Sequence, residues 1–283
     1  MTLIHRGSHL LSREDSEAAN IIQNTFIRDG INVMLGCSPK RAEPTAKGKM
    51  LYTIANGKEE SIAVDEILAG AGRAPNVEGL NLEAAGVAYN RTGVKVDDYL
   101  QTTNPKIYAA GDICLPHKFT HAADAAARIV IKNTLFSPFG LGKSKFSDLV
   151  MPWVTYTDPE VAHVGMYAEE AQAKGLNVNT IKIDFNGVDR AIADGEESGF
   201  IKIHHLKGKD EILGATIVAR HAGEMISEVT TAIVNKVGLN GLSNVIHPYP
   251  TQAEAIKKVA DTYRRTLLTP RTKFLLGVLS KLS

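Results

Sequence analysis

Cysteine is nearly absent: the 283 residues include only two, Cys37 and Cys114. They lie far apart and form no CxxC pair, which excludes a disulfide scaffold and a cysteine-rich zinc site. Excess charge of either sign is missing too, with 32 Lys plus Arg against 31 Asp plus Glu. A nucleic-acid partner would leave a basic field on the chain. No apolar run approaches the roughly 18–20 residues of a membrane span. At the start, MTLIHRGSHLLSRED breaks its apolar residues with His, Arg and Ser, too soon for a signal-peptide core. A reduced, cytoplasmic setting is the expectation. Gly70-Ala71-Gly72 opens like a phosphate-cradling loop, but the third glycine position holds Pro75 and no helical pattern follows. It reads as a tight turn.

What remains is an ordinary globular composition, 44% hydrophobic and 22% charged, at a length that suits about two domains. The opening alternates strand and helix. Thr2 to Ile4 is a short apolar run. Asp15 then precedes a helix with Ala18, Ile21, Ile22, Thr25 and Phe26 on one face, and Glu17 in the first turn where the dipole favours it. Asp29-Gly30 ends it and Ile31 to Leu35 is the next strand. Met50 to Ile54 and Ser61 to Ala69 are two more, joined by the hairpin signal Asn56-Gly57. The middle third carries a Gly/Pro-rich turn, a short strand at Lys106 to Ala110, a Gly-Asp turn at Gly111-Asp112, and an Ala-rich helix from about Thr120 to Leu135. From Pro152 the pattern becomes antiparallel strands at 182–185, 200–205 and 212–219, then helices near 222–237 and 251–266. Strands followed by segregated helices indicate an α+β domain. The basic, apolar tail after Pro270 reads as a docked or frayed terminus rather than a membrane-surface helix.

Several features carry chemistry only in the right context. His117, His121 and Asp124 have spacings of a metal site, but Pro116 breaks the helical alignment of His117, so no metal is expected. The start of the Ala-rich helix presents N–H groups and partial positive charge, which suits either a ligand's negative charge or plain packing. Thr251-x-x-Glu254 matches a capping box. His247-Pro248-Tyr249-Pro250 is stiff and extended, so it fixes a side chain for a site or for a turn.

Three stretches in order, AGRAPNVEGLNLEAAGV (71–87), TTNPKIYAAGDI (102–113) and HPYPTQAEAIKKVADTY (247–263), supported by YTDPEVAHVG (156–165), resemble the pyridine nucleotide-disulfide oxidoreductases. The resemblance implies α/β segments of nucleotide-binding and FAD-binding domains followed by an α+β dimerisation domain. It puts residues 1–72 in a partial NAD(P)-binding domain, 73–148 in the C-terminal part of an FAD-binding domain and 149–283 in the dimerisation domain. The family's two GxGxxG loops and its CxxxxC pair are missing from this sequence, so the chain resembles the C-terminal part of such an enzyme. A non-catalytic dimerisation module, or an inactive fragment, is the alternative.

By resemblance, Asp112, after Gly111, meets the ribityl chain of FAD, and Thr120, His121 and Ala122 meet the flavin's pyrimidine edge. Gly72 lies near the nicotinamide nucleotide. Where NADH-preferring members carry an acid, this chain has His5 and then Arg6, which favours the 2′-phosphate of NADPH over NADH. In thiol-reducing members the last motif is His-Pro-Thr-x-x-Glu, with His as acid/base and Glu orienting it. Here Tyr249 takes the His position, Glu254 matches the Glu, and His247 sits two residues early, about 7 Å along an extended segment on the same face. Tyr249 resembles mercuric reductase, although that enzyme's C-terminal vicinal cysteines are not here: the tail ends Leu282-Ser283. The implied whole is a homodimer passing electrons from NAD(P)H through FAD to a disulfide or small-molecule acceptor.

Overall fold

The computed structural model describes residues 1–55, 57–270 and 272. Asn56 of the hairpin signal lies outside the described residues, as does the tail from Arg271 onward apart from Thr272. In chain order the elements are β1 (Thr2–Ile4), α1 (Ser16–Arg28), β2 (Asn32–Met34), β3 (Cys37–Thr45), β4 (Gly48–Ala55) and β5 (Lys58–Val64). Then come β6 (Tyr89–Asn90), β7 (Gly93–Val94) and α2 (Thr120–Leu135). The last part holds β8 (Pro152–Thr155), β9 (Glu160–Gly165), α3 (Ala168–Ala173), β10 (Val178–Asp184) and α4 (Asp189–Asp194). It continues with β11 (Phe200–Leu206), β12 (Ile212–Ala219), α5 (Ala222–Val234), α6 (Leu239–Ser243) and α7 (Glu254–Thr266). The expected mixture of α/β segments and an α+β part is what the chain forms. It divides into two compact units, one of residues 1–67 with 152–283 and one of residues 68–151.

In the first unit β1 and β2 pair in parallel, Leu3 opposite Val33, with α1 as the crossover. Asp15 caps α1 by accepting from the N–H groups of Glu17 and Ala18, and the buried face includes Ala18, Ile22 and Thr25, as the periodicity predicts. Strands β3, β4 and β5 form a meander, with β4 and β5 as the expected hairpin. The sequence reading misses β3 because Pro39 and Pro44 interrupt it. As an edge strand it tolerates both, with the register shifting between Pro39 and Arg41.

The second sheet of this unit is antiparallel, in the order β10-β11-β12-β9-β8. Its pleat sorts the side chains. Phe200 joins Val161 and Val218 beneath α1 residues Ala18 and Ile22, and Lys202, two residues on, reaches Asp15 on that same side. The alternate residue His205 turns to α7, where its ring meets Tyr263 edge-on at 5.0 Å. Burial on both faces explains why β11 and β12 are enclosed almost throughout. Burying Ile22 fully contributes roughly 1.5–3 kcal/mol.

The second unit has little regular structure. Residues 106–110, read as a strand, make only an isolated bridge between Gln101 and Tyr108, because Asn104 and Thr102 turn the chain with side-chain bonds instead. Its core is Leu100, Leu115, Ala122, Ala126 and Ile129, so the alanines of α2 serve close packing. Gly93 (φ +123°) lies so near the carbonyl oxygen of Ile113 that a Cβ would come within 2.0 Å of it.

Candidate functional site

The residues singled out by sequence fall into two groups, one in each unit. In the second unit, the Gly111-Asp112 turn abuts the start of α2. Gly111 has φ +84°, and a Cβ there would meet the Cβ of Ala123 at 3.4 Å. Lys118 Nζ donates to the backbone oxygen of Asp112 at 2.8 Å, tying the turn to the segment leading into α2. The Asp112 carboxylate is half-exposed and stands 3.7 Å from Arg73 Nη1, which brings the neighbour of Gly72 to the same place.

Helix α2 starts at Thr120 after an extended Phe119, with no side-chain cap and no acid in its first turn. The first of its N–H groups to close onto a carbonyl is that of Ala123, onto Phe119. Thr120, His121 and Ala122 therefore form the first turn of the helix. The ring of Phe119 stacks with those of His117 and His121, at 5.9 and 5.2 Å. Asp124 faces Arg128 at 2.7 Å. Among the described residues no group of His, Cys, Asp or Glu is placed to hold a metal ion.

In the first unit, Arg6 is exposed just beyond β1. His247 is enclosed, with 4% of its side chain exposed, and its Nε2 lies 2.9 Å from Glu228 Oε1 on α5. Tyr249 is 70% exposed and donates its hydroxyl to Asp189 Oδ2 on α4 at 2.7 Å. Burial and partners thus separate two residues expected on one face, because each is drawn to a different helix. The carboxylate beside it raises the Tyr249 phenol above its ordinary range.

The capping box does not form. Helix α7 begins at Glu254 with Ala253 as its N-cap, and the Thr251 hydroxyl donates back to the Pro248 carbonyl. A local turn has captured the hydroxyl that a cap would use. Glu254 Oε1 stands 3.7 Å from Lys258 Nζ, and its Oε2 is buried without a partner.

Sequence reasoning missed Asp189, Glu228, Arg73 and Lys118. Asp189 is 60 positions from Tyr249, so no local spacing announces it. The thiols are quiet: Cys37 is fully buried, and burial pushes the Cys114 thiol up to about 11.

Residues 1–128 match the pyridine nucleotide-disulphide oxidoreductases, and residues 151–260 match the dimerisation domain of the same enzymes. The chain belongs to that family. The mercuric reductase of Staphylococcus aureus is 35% identical over 264 residues, which is 93% of this chain and 48% of the relative. A dihydrolipoyl dehydrogenase of Thermus scotoductus is 33% identical over 268 residues, 94% of this chain and 57% of the relative. The HOCl-induced flavoprotein disulfide reductase RclA of Escherichia coli has a similar fold, with a TM-score of 0.81 and 26% identity over 92% of this chain and 58% of that one. The chain therefore spans about half the length of the curated relatives it matches. The segment leading into α2, whose first turn holds no acid, is tied to the Gly111-Asp112 turn through Lys118, and Gly111 lies beside Ala123.

Proposed function

We propose that this chain supplies the C-terminal part of an FAD-dependent, NAD(P)H-oxidising disulfide oxidoreductase of the mercuric reductase-like kind, working as a homodimer. Residues 1–72 would belong to its NAD(P)-binding domain, 73–148 to its FAD-binding domain and 149–283 to its dimerisation domain. The observation that carries the reading is the start of α2, with no acid in its first turn, beside the Gly111-Asp112 turn.

Asp112, half-exposed, is available to a ligand hydroxyl. The N–H groups at Thr120, His121 and Ala122 would hold negative charge at the ligand's edge, since a helix N-terminus carries about half a positive charge. FAD bound there supplies the hydride acceptor that protein side chains lack. Gly72 leaves room for a nicotinamide nucleotide, and Arg6 suits a 2′-phosphate. Tyr249, Glu254 and His247 would serve the side of the enzyme that meets the electron acceptor.

Visible absorption after incubation with excess FAD and desalting tests the reading. A retained flavin band that bleaches with NADPH supports it; a colourless protein overturns flavin binding by this chain. In a flavin-loaded protein, Arg6→Ala is expected to raise KM for NADPH about tenfold or more, about 1.4 kcal/mol, and to leave KM for NADH nearly unchanged. Equal effects on both would remove Arg6 from nucleotide choice.

The state of the thiols favours a second reading. Neither Cys37, buried, nor Cys114, pushed up to about 11, is an activated nucleophile. A dimerisation or binding module, inactive alone, accounts for that, and colourless protein with intact self-association would support it.

A further inference from the structure

The end of Tyr249 is held by one contact. Its ring is 70% exposed, so packing does not fix it. Pro248 and Pro250 restrict the backbone on either side. The hydroxyl's bond to Asp189, at 2.7 Å, fixes the rest. Asp189 stands on a secured base. It is in the first turn of α4, where the dipole favours an acid, between the fully buried Val188 and Ala191. Its neighbour Arg190 is turned to Asp194 at 2.7 Å, which leaves the Asp189 carboxylate to the phenol.

Glu254 does not reach Tyr249. One of its oxygens faces Lys258 and the other is buried without a partner. Lys258 in turn donates to the Gly187 carbonyl at 2.8 Å, so the cation nearest Glu254 is anchored to the turn before α4.

We infer that Asp189 is the positioning residue for Tyr249, holding its phenol oriented and protonated in the place where the family motif would assign that task to Glu254. The inference rests on the reading that Tyr249 faces the electron acceptor. A carboxylate accepts from a phenol only while the phenol keeps its proton, and a phenolate there would face the negative charges of Asp189 and, more distantly, Glu254. Its one proton is committed to Asp189, so Tyr249 offers an approaching group lone pairs rather than a proton.

Labelling the full chain with 3-fluorotyrosine, whose phenol titrates at lower pH than tyrosine's, makes this measurable by fluorine NMR without any cofactor. The Tyr249 signal is the one lost in Tyr249→Phe. Asp189→Asn keeps the size and an acceptor oxygen but removes the charge, so its midpoint is expected to fall by about half a pH unit or more. Glu254→Gln is expected to move it less. An unchanged midpoint in Asp189→Asn, or a larger shift in Glu254→Gln, overturns the assignment. Circular dichroism melting of each variant separates these outcomes from loss of fold. Flavin retention by the same samples is scored separately: its loss would remove the proposed function while the titration still decides the Asp189–Tyr249 pairing.

Discussion

Gly111 and Gly93 show how a single missing Cβ decides a site. Both have positive φ, but their surroundings differ. A Cβ at Gly93 would lie 2.0 Å from a backbone oxygen, whereas one at Gly111 would only touch a neighbouring methyl at 3.4 Å. Gly111→Ala should therefore fold, at a cost of about 1–2 kcal/mol from the backbone alone, and, on the proposed function, should weaken FAD retention. Gly93→Ala should be much the more damaging in a thermal melt. If the two melt alike, the contrast drawn from these contacts is wrong. The Gly111-Asp112 turn was legible in sequence because glycine and aspartate are turn residues. The partners of Tyr249 and His247 were not, since the bonds to Asp189 and Glu228 form only when separate helices meet.

At the scale of elements, α1 shows how an acidic helix start is fastened to a sheet. Lys202, with 10% of its side chain exposed, lies 2.7 Å from Asp15 and 2.9 Å from Glu17, while Glu14 accepts from the indole of Trp153 and the hydroxyl of Tyr167. Beneath them His163 on β9 is fully buried, its ring 3.7 Å from that of Tyr167 and 4.6 Å from that of Trp153. Its Nε2 faces the Gly165 carbonyl, which can only accept, so Nε2 carries the proton and Nδ1 accepts from the Thr216 hydroxyl. Burial lowers its pKa to about 4, against an ordinary 6.5.

Because the folded form resists the proton that the unfolded chain takes up, the stability tied to His163 is full above pH about 6.5. It falls as the pH drops from there to about 4, by about 3 kcal/mol at most. Burial depresses His204 in the same direction. Urea unfolding between pH 7.5 and 4.5 should show the loss, with a gentler slope in His163→Phe. An identical slope in that variant would clear His163 of the effect. Strand β9 itself escaped the sequence reading: Asp158-Pro159 just before it and a histidine within it disguise a short buried strand.

For the whole molecule, the match of residues 151–260 to a dimerisation domain makes self-association the expected state. In the first unit, Val234, Val237, Val245 and Ile246 are exposed, Ile246 by 91%, close in sequence to Tyr249. Light scattering should give twice the 30.5 kDa of the chain, and Ile246→Asp should shift it toward one copy while the melting temperature of the isolated chain changes little. A dimer untouched by that change would place the interface elsewhere. No helix among the described residues is long and apolar enough to cross a membrane, in line with the missing apolar runs.

The sequence by itself determined the α/β-then-α+β order, the limits of α2, the buried face of α1 and the family, because periodicity, turn residues and motif strings are local properties. Only the tertiary structure decided that Thr251 bonds Pro248 rather than capping α7, that His247 and Tyr249 part company, and that Asp189 takes the phenol. Those outcomes depend on which helices come near the 247–250 turn, and a hydrogen bond goes to whichever partner the packed chain brings within reach.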